Sequence, residues 1–377
     1  MTGEAHPVFD EKSGRAAKPG APEVSGRLPL AVRRHRLVAE IDRRLRTRCG
    51  LPAAAPLVLG VSGGADSVAL MLACVVLRDR AAGKRVGRKP IVEPIVVHVN
   101  HHLREEADAD AEFVAELCRA SSLPFHLEHV RPWEAGGNLE AAARDMRYEA
   151  LKRSALKVGA GCVAVGHHGE DQLETMLIAL CRGAGLEGLS GMAWSRPLDE
   201  RVRLIRPMLA ARKCDCEDLC RAAGIMWRED PTNRDIDQAR ARLRREVLPA
   251  LEALWPDAPR RASSTGDLLA VARQALSERI EEAFGAAANR GWGRARLAGL
   301  PLPVVAAGLR RAAVDEVPDI SDELGQRQLL SAAEHITCDD RRPKRFDWPG
   351  GLILHVTSRQ VELLRCAGGN GNDEDGS

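Results

Sequence analysis

The sequence predicts an α/β fold: a parallel sheet covered by helices, followed by a smaller, partly helical carboxyl-terminal domain. Two observations carry this prediction. Over residues 57–230, short runs rich in Val, Ile and Leu alternate with longer amphipathic stretches, the pattern of strands joined by helices. The short runs are apolar at successive positions, as expected of strands that are covered on both faces.

Four strands and three intervening helices follow from this alternation. The strands are predicted at 56–61, 94–99, 124–130 and 162–167. The helices are predicted at 67–79, 105–120 and 138–157. Right-handed crossovers place the loops that follow the strands at the carboxyl edge of the sheet, where ligands bind in such folds.

The length of 377 residues exceeds one ordinary compact domain. We predict a disordered extension over 1–30, a catalytic domain over 31–255, a helical linker over 256–289, a small domain over 290–366 and a disordered tail over 367–377. Further helices are predicted at 239–254 and 262–288. No apolar run reaches the ~18 residues of a membrane helix, and 1–30 does not have the pattern of a secretory signal.

Ten cysteines without a CxxC pair argue against a disulfide framework and for a reducing compartment, so a cytoplasmic location is expected. Three of the ten cluster at Cys214, Cys216 and Cys220. Because their spacing is unusual for zinc and a fourth ligand is missing, we interpret them as small buried helix residues. The net charge of +2 does not decide for or against a nucleic-acid partner.

A glycine turn joins the first predicted strand to the first helix. It comprises Ser62, Gly63, Gly64, Ala65, Asp66 and Ser67. Two glycines let backbone NH groups approach a phosphate, and the helix dipole favours negative charge there. The alternative is an ordinary turn with Asp66 as helix N-cap. The stretch 183–188 spells GxGxxG, but a helix-like segment precedes it where a strand would be required, and we assign it to a loop.

Three carboxylates follow the fourth strand, in the segment 166–175 that reads GHHGEDQLET. Asp171 and Glu174 are three residues apart and share a helix face. With Asp66 they are expected to converge on one cleft at the sheet edge, suited to a cation or to a metal that carries a triphosphate. Two alternatives remain open: a metallohydrolase site that uses the histidines, and acids that merely complement the helix dipole.

The ordered set of motifs resembles the tRNA(Ile)-lysidine synthetases, a family of PP-loop ATP pyrophosphatases with a Rossmann-like domain. The loop SGGADS is similar to the SGGxDS of the superfamily. The more specific segments are VNHHLR at 99–104, NLEAAARDMRYEAL at 138–151, GHHGEDQLET at 166–175, RGAGLEGLSGM at 182–192 and WREDPTN at 227–233. Departures are Glu170 for a usual Asp, Thr232 for a usual Ser and Ala241 for an Asn.

The resemblance implies an enzyme that uses ATP, with Mg²⁺ carried by ATP and no other metal. It would ligate free L-lysine to C2 of the wobble cytidine in an isoleucine tRNA with a CAU anticodon, through an adenylated cytidine, and so convert the tRNA to AUA decoding. AMP and pyrophosphate would be released. The resemblance assigns residues 62–67 to ATP, gives Asp66, Asp171 and Glu174 the handling of lysine and magnesium, and lets Arg144 assist them.

Four arginines lie within residues 240–245, and a helix there would present guanidinium groups to phosphates. We predict that Arg240, Arg244 and Arg245 bind tRNA, as the resemblance favours; the alternative is a solvated helix face. The small domain is also expected to contact tRNA. Two other functions stay open: a PP-loop tRNA thiolase, and a non-catalytic, nucleotide-gated RNA-binding protein. No membrane partner is expected, and a homodimer is one option for the oligomeric state.

Overall fold

The computed structural model describes residues 28–53, 55–82, 92–103, 106–134, 139–228, 238–285, 290–318, 320 and 323–365. The chain forms two compact units that divide between Asp267 and Leu268. Of the predicted terminal extensions, 1–27 and 367–377 lie outside the described residues, whereas Leu28 is buried. No helix in the described ranges is long and apolar enough to cross a membrane.

The first unit holds a six-stranded sheet. Its strands are β1 (Ala55–Gly60), β2 (Val92–Asn100), β3 (Phe125–His129), β4 (Cys162–Ala164), β5 (Ser195–Pro197) and β6 (Arg203–Ile205). Their order is β3-β2-β1-β4-β6-β5, parallel throughout except for β5, which is antiparallel to β6. The mostly parallel sheet confirms the predicted fold class, and β1 lies near its centre.

The helices of the first unit fill the crossovers and the segments that flank them. They are α1 (Leu30–Arg34), α2 (Arg36–Thr47), α3 (Ala65–Ala82), α4 (Ala107–Ala120), α5 (Leu139–Lys157), α6 (Gly169–Cys181), α7 (Leu186–Leu189), α8 (Lys213–Ala222), α9 (Gln238–Arg242) and α10 (Leu248–Leu254). A π-helical turn, Leu243–Val247, joins α9 to α10. The sequence predicts one continuous helix at 239–254. Pro249 lacks the backbone NH group that an α-helix needs at this point, which accounts for the interruption.

Two apolar clusters cover the two faces of this sheet. The larger one packs the buried residues 67–77 of α3 against β1, β2 and α2. The other packs α5, through Tyr148 and Leu151, against Val58 and Val163. Because both faces of β1 are covered, its carboxyl end opens only toward the loops that follow it, and this opening sets the position of the site.

The second unit begins within α11 (Ala258–Phe284) and contains α12 (Arg294–Ala298), α13 (Leu302–Glu316) and α14 (Gln326–Thr337). Four strands form an antiparallel sheet in the order β7-β10-β9-β8, with β7 at Gly291–Gly293, β8 at Lys344–Trp348, β9 at Leu352–Val356 and β10 at Gln360–Arg365. The sheet was not predicted. Arg294 is fully buried and donates to the carbonyls of His335, Ile336, Asp340 and Thr357.

Candidate active site

The loop between β1 and α3 is held by its own two serines. The backbone NH of Ser62 donates to Oγ of Ser67 at 3.1 Å, and Ser67 Oγ donates to the carbonyl of Gly64 at 3.0 Å. Gly63 has a φ of +96°, a conformation that a side chain would strain. Asp66 lies in the first turn of α3, which begins at Ala65, so Asp66 does not act as the N-cap. The loop has the backbone form of a phosphate cradle.

A second loop, which follows β4, packs directly on this one. Gly166 makes the approach possible, because a Cβ atom at this position would lie 3.0 Å from the backbone carbon of Asp66 and 3.0 Å from the nitrogen of Ser67. The close approach brings the first turn of α6 beside the first turn of α3. Two helix amino termini therefore meet at one place on the sheet edge, where their dipoles favour negative charge.

His168 bridges the carboxylates of the two loops. Its Nδ1 lies 2.9 Å from Oε2 of Glu170, and its Nε2 lies 3.4 Å from Oδ2 of Asp66 and 3.6 Å from Oδ2 of Asp171. Burial opposes the charge, but the three carboxylates outweigh it and raise the pKa of His168 well above its usual value. An imidazolium ion therefore stands among three acids and fixes the orientation of Asp66 and Asp171.

One turn further along α6, Glu174 is buried and holds two arginines. Its Oε2 accepts from Nε of Arg244 at 2.6 Å, and its Oε1 lies 3.4 Å from Nε of Arg240. Arg244 also reaches Oδ1 of Asp171 at 3.4 Å. Burial raises the pKa of Glu174 despite the adjacent guanidinium of Arg244. Asp171 and Glu174 thus form a cation site that the chain's own arginines fill.

A cleft of about 460 Å³ opens at this edge of the sheet. Ser62, Gly64, Asp66, Ser67 and Asp171 line one part of it. The rest of its lining includes polar side chains of α5 and of the segment that follows β2, among them His101, His102, Glu140, Arg147 and Tyr148. Groups suited to bind phosphate and groups suited to bind a cation therefore share one cavity with space for a nucleotide-sized ligand.

The first histidine of the motif, His167, differs in charge from its neighbour His168. Burial and the guanidinium of Arg206 lower the pKa of His167 to about 3, although Asp171 opposes them. Nδ1 of His167 accepts a hydrogen bond from Nε of Arg206 at 3.1 Å, as a neutral imidazole can. Of the two adjacent histidines, His167 is therefore a neutral hydrogen-bond acceptor and His168 is a cation.

The structure brings most of the predicted site residues together, with two differences. Arg147, and not Arg144, lines the cleft; the two are one helical turn apart, and the sequence offered no signal to choose between them. Arg240 and Arg244, predicted on tRNA phosphates, contact the carboxylates of α6, whereas Arg245 is exposed. Their tRNA contacts stay a prediction.

Two smaller predictions are corrected. Cys216 and Cys220 are buried on α8 as expected, but Cys214 is exposed, because it lies on the outer face of that helix. The stretch 183–188, assigned to a loop, enters the short helix α7 at Leu186. The helix α6 that precedes it confirms that this glycine pattern does not follow a strand.

Comparison with known proteins identifies relatives of this chain in sequence and in fold. A sequence model of the PP-loop domain family matches residues 37–251. A tRNA(Ile)-lysidine synthase of Synechococcus is 32% identical over 311 residues, which cover 81% of this chain and 92% of that protein. One of Salinispora arenicola is 39% identical over 250 residues, 66% of this chain and 72% of that protein. The U34-tRNA thiolase NcsA of Methanococcus maripaludis has a similar fold: the TM-score is 0.50 at 17% identity, over 62% of this chain and 78% of that one.

Proposed function

Because the chain belongs to the tRNA(Ile)-lysidine synthase family of PP-loop ATP-dependent ligases, we propose that it ligates free L-lysine to C2 of the wobble cytidine in an isoleucine tRNA with a CAU anticodon. One observation carries the proposal most directly. The phosphate cradle at 62–67 and the cation site of Asp171 and Glu174 meet at one sheet edge. A reaction between ATP, a base and an amine needs both sites in one place.

The proposed chemistry has two steps. The oxygen at C2 of the cytidine attacks the α-phosphorus of ATP, and pyrophosphate leaves. The ε-amine of lysine then attacks C2, the C2–oxygen bond breaks, and AMP leaves with that oxygen. Adenylation is needed because a phosphate ester leaves readily whereas an oxide does not. The amine has an ordinary pKa of ~10.4 and loses a proton before it attacks.

The carboxylates supply what the amine requires. Asp171 and Glu174 already bind a guanidinium group, so they are suited to an ammonium group. Since burial raises the pKa of Glu174, this residue is a stronger base than an exposed glutamate and is the better acceptor for the proton of the amine. Asp171, whose pKa is lowered by His168 against the effect of burial, remains an anion that holds the charge.

The loop residues fit ATP and its magnesium ion. Oδ1 of Asp66 is buried and has no hydrogen-bond partner among the described residues, and a carboxylate oxygen of this kind is a ligand that Mg²⁺ prefers. Asp66 and Asp171 would hold the ion, which would neutralise phosphate charge. The serines and NH groups of 62–67 would hold the phosphates. We retain Arg144 as an assisting residue, and we add Arg147, which lines the cleft.

A thiolase is less well supported, because sulfur transfer requires reactive thiolates. Burial raises the pKa of Cys216 well above its usual value and that of Cys220 to about 12. The Cys220 thiol donates to the carbonyl of Ala65 at 3.4 Å, which is the role of a protonated structural cysteine. These two thiols, the ones nearest the loop, are therefore not poised to carry sulfur.

The direct test is incorporation of labelled lysine into isoleucine tRNA with a CAU anticodon, together with pyrophosphate release. We expect both to require ATP, and we expect lysine to appear at the wobble cytidine in nucleoside analysis. Methionine tRNA, which shares the anticodon, is the matched control. Pyrophosphate release without transfer of lysine, or transfer of sulfur in its place, would contradict the proposal.

A further inference from the structure

Tyr148, the only tyrosine of the chain, is buried and surrounded by guanidinium groups. The guanidinium carbons of Arg196, Arg147 and Arg144 lie 4.9, 5.3 and 5.6 Å from the centre of its ring. A fourth arginine, Arg206, is 2% exposed and acts on the same ring from the loop after β6. The four come from α5, β5 and that loop, so the tertiary fold assembles the group.

These arginines differ from others nearby in having no acidic partner in the part of the chain that the structure describes. In the described ranges, no carboxylate lies within 4 Å of the guanidinium nitrogens of Arg144, Arg147 or Arg196. By contrast Arg153, further along the same helix α5, lies 3.2 Å from Glu128. Like charges held this close repel one another, most strongly where burial lowers the dielectric. A bound anion would remove that repulsion.

One arginine of the group, Arg147, lines the cleft, as do Tyr148 and, from the loop, Ser62 and Asp66. Arg144 and Arg196 adjoin this part of the cleft through the ring of Tyr148. Arg144, Arg147 and Arg196 are half-buried, so their side chains are restrained yet reachable. Guanidinium groups bind phosphate oxygens in a bidentate manner, and the aromatic face of Tyr148 holds them in place by cation–π contact.

We propose that Arg144, Arg147 and Arg196, gathered on Tyr148, form a phosphate-binding subsite of the cleft that is separate from the loop at 62–67. The identity of the phosphate rests on the proposed function, which offers two sources. They are the tRNA strand beside the target cytidine and the triphosphate of ATP. The backbone NH groups of the loop already provide for ATP. The strand phosphate is therefore the occupant that the arrangement favours.

The lone tyrosine gives a readout that does not depend on activity. Burial raises the pKa of Tyr148, but the surrounding guanidinium groups outweigh it and hold this pKa below its usual value. An anion on the arginines would offset their charge and raise the pKa. We expect inorganic pyrophosphate to shift the tyrosinate absorbance of the full chain to higher pH, and we expect Arg196→Gln to reduce the shift. An unchanged titration with saturating pyrophosphate would overturn the subsite.

Substitutions distinguish the two sources. If the strand phosphate is the occupant, Arg196→Gln reduces the slope of log affinity for tRNA against log salt by about 0.7–0.9 and leaves the KM for ATP unchanged. If ATP is the occupant, the KM for ATP rises and the slope of log affinity for tRNA against log salt is unchanged. Either result supports the subsite. Arg153→Gln is the control; if the two variants behave alike, the subsite is wrong.

The proposed function is tested separately by lysine incorporation with the unmodified chain. Arg196→Lys keeps the charge and is expected to retain most of the tRNA affinity. The far-ultraviolet circular dichroism of each variant shows whether it folds. A chain that fails to incorporate lysine but shows the pyrophosphate-dependent tyrosinate shift would retain the subsite and lose the proposed function.

Discussion

Nε of Arg244 lies 2.6 Å from Oε2 of Glu174, so a side chain of the π-helical turn occupies the carboxylate that we assign to the lysine amine. The same guanidinium reaches Asp171. If the ammonium group of lysine binds the position that the guanidinium of Arg244 now holds, lysine and Arg244 compete for Glu174. Phosphates that draw Arg244 away would free the site, which couples the predicted tRNA contact of this arginine to lysine binding.

Arg244→Ala is expected to tighten lysine binding to the tRNA-free chain by up to about fivefold, since the pair is partly exposed and its strength is limited to about 1 kcal/mol. Equilibrium dialysis with labelled lysine measures the dissociation constant. Arg242→Ala is the matched control, because Arg242 lies in the same segment and pairs with Glu246. Weaker lysine binding by the Arg244 variant alone would show that Arg244 assists lysine.

Glu174→Gln and Asp66→Asn are each expected to lower the rate of lysine incorporation at least about a hundredfold, through different steps. Each change removes a charge at nearly constant volume. Glu174→Gln should retain ATP binding, whereas Asp66→Asn should weaken it through loss of the magnesium ligand. Equilibrium dialysis with ATP separates the two. Near-normal incorporation by both variants is the result that would refute the site.

His168 predicts a pH dependence of stability. Its folded pKa is raised above the unfolded value of ~6.5. Its contribution is therefore fully present below that pH and is lost as the pH rises through the folded pKa. The free energy of unfolding of the wild type should exceed that of His168→Asn most at low pH, and the difference should narrow as the pH rises. A difference that is constant with pH would contradict a charged His168.

Gly166→Ala is expected to separate the two loops. Its Cβ would lie 3.0 Å from backbone atoms of Asp66 and Ser67, so we expect a cost of about 1–3 kcal/mol in stability and weaker ATP binding. Gly161→Ala is the control, because its nearest neighbour is the carbonyl of Arg201 at 3.7 Å. Calorimetric unfolding and ATP titration of both variants provide the comparison; equal behaviour would mean that the loops adjust freely.

In the second unit, Gly308→Ala is expected to destabilise the fold by about 1–3 kcal/mol. A Cβ at this position would lie 2.1 Å from the buried ring of Phe284. Gly299→Ala, where the nearest atoms are 3.9 Å away, should be neutral or slightly stabilising. Denaturant unfolding measures both. Equal stability of the two variants would show that the ring moves aside at little cost.

The features that a sequence predicts well here are local ones. The apolar run before Ser62 predicts β1, and the glycines after it predict the turn, because backbone preference and burial act over a few residues. The helix face shared by Asp171 and Glu174 follows from spacing alone. Loop position at the carboxyl edge then follows from the handedness of the crossovers.

The features that it does not predict depend on tertiary contact. Nothing in the spacing of Arg240 and Arg244 indicates that they face Glu174, some 70 residues earlier. The strands β5 and β6 have three residues each, too few for a periodic signal. In the second sheet, β9 does alternate between buried and half-buried residues, a pattern that was available, whereas the exposed charges of β8 conceal its strand character.

The central position of β1 has a consequence for the time at which the enzyme becomes competent during synthesis. Its partner β4 is paired through Leu57 and Cys162, and Glu174 follows β4 in the chain. A ribosome that adds about 5–20 residues per second needs roughly 5 to 20 seconds after it makes the serine loop before it has made Glu174. Throughout that interval the nascent chain has the glycine-rich turn but not yet the complete set of opposing carboxylates. ATP binding at the complete site therefore has to wait until Glu174 has been made.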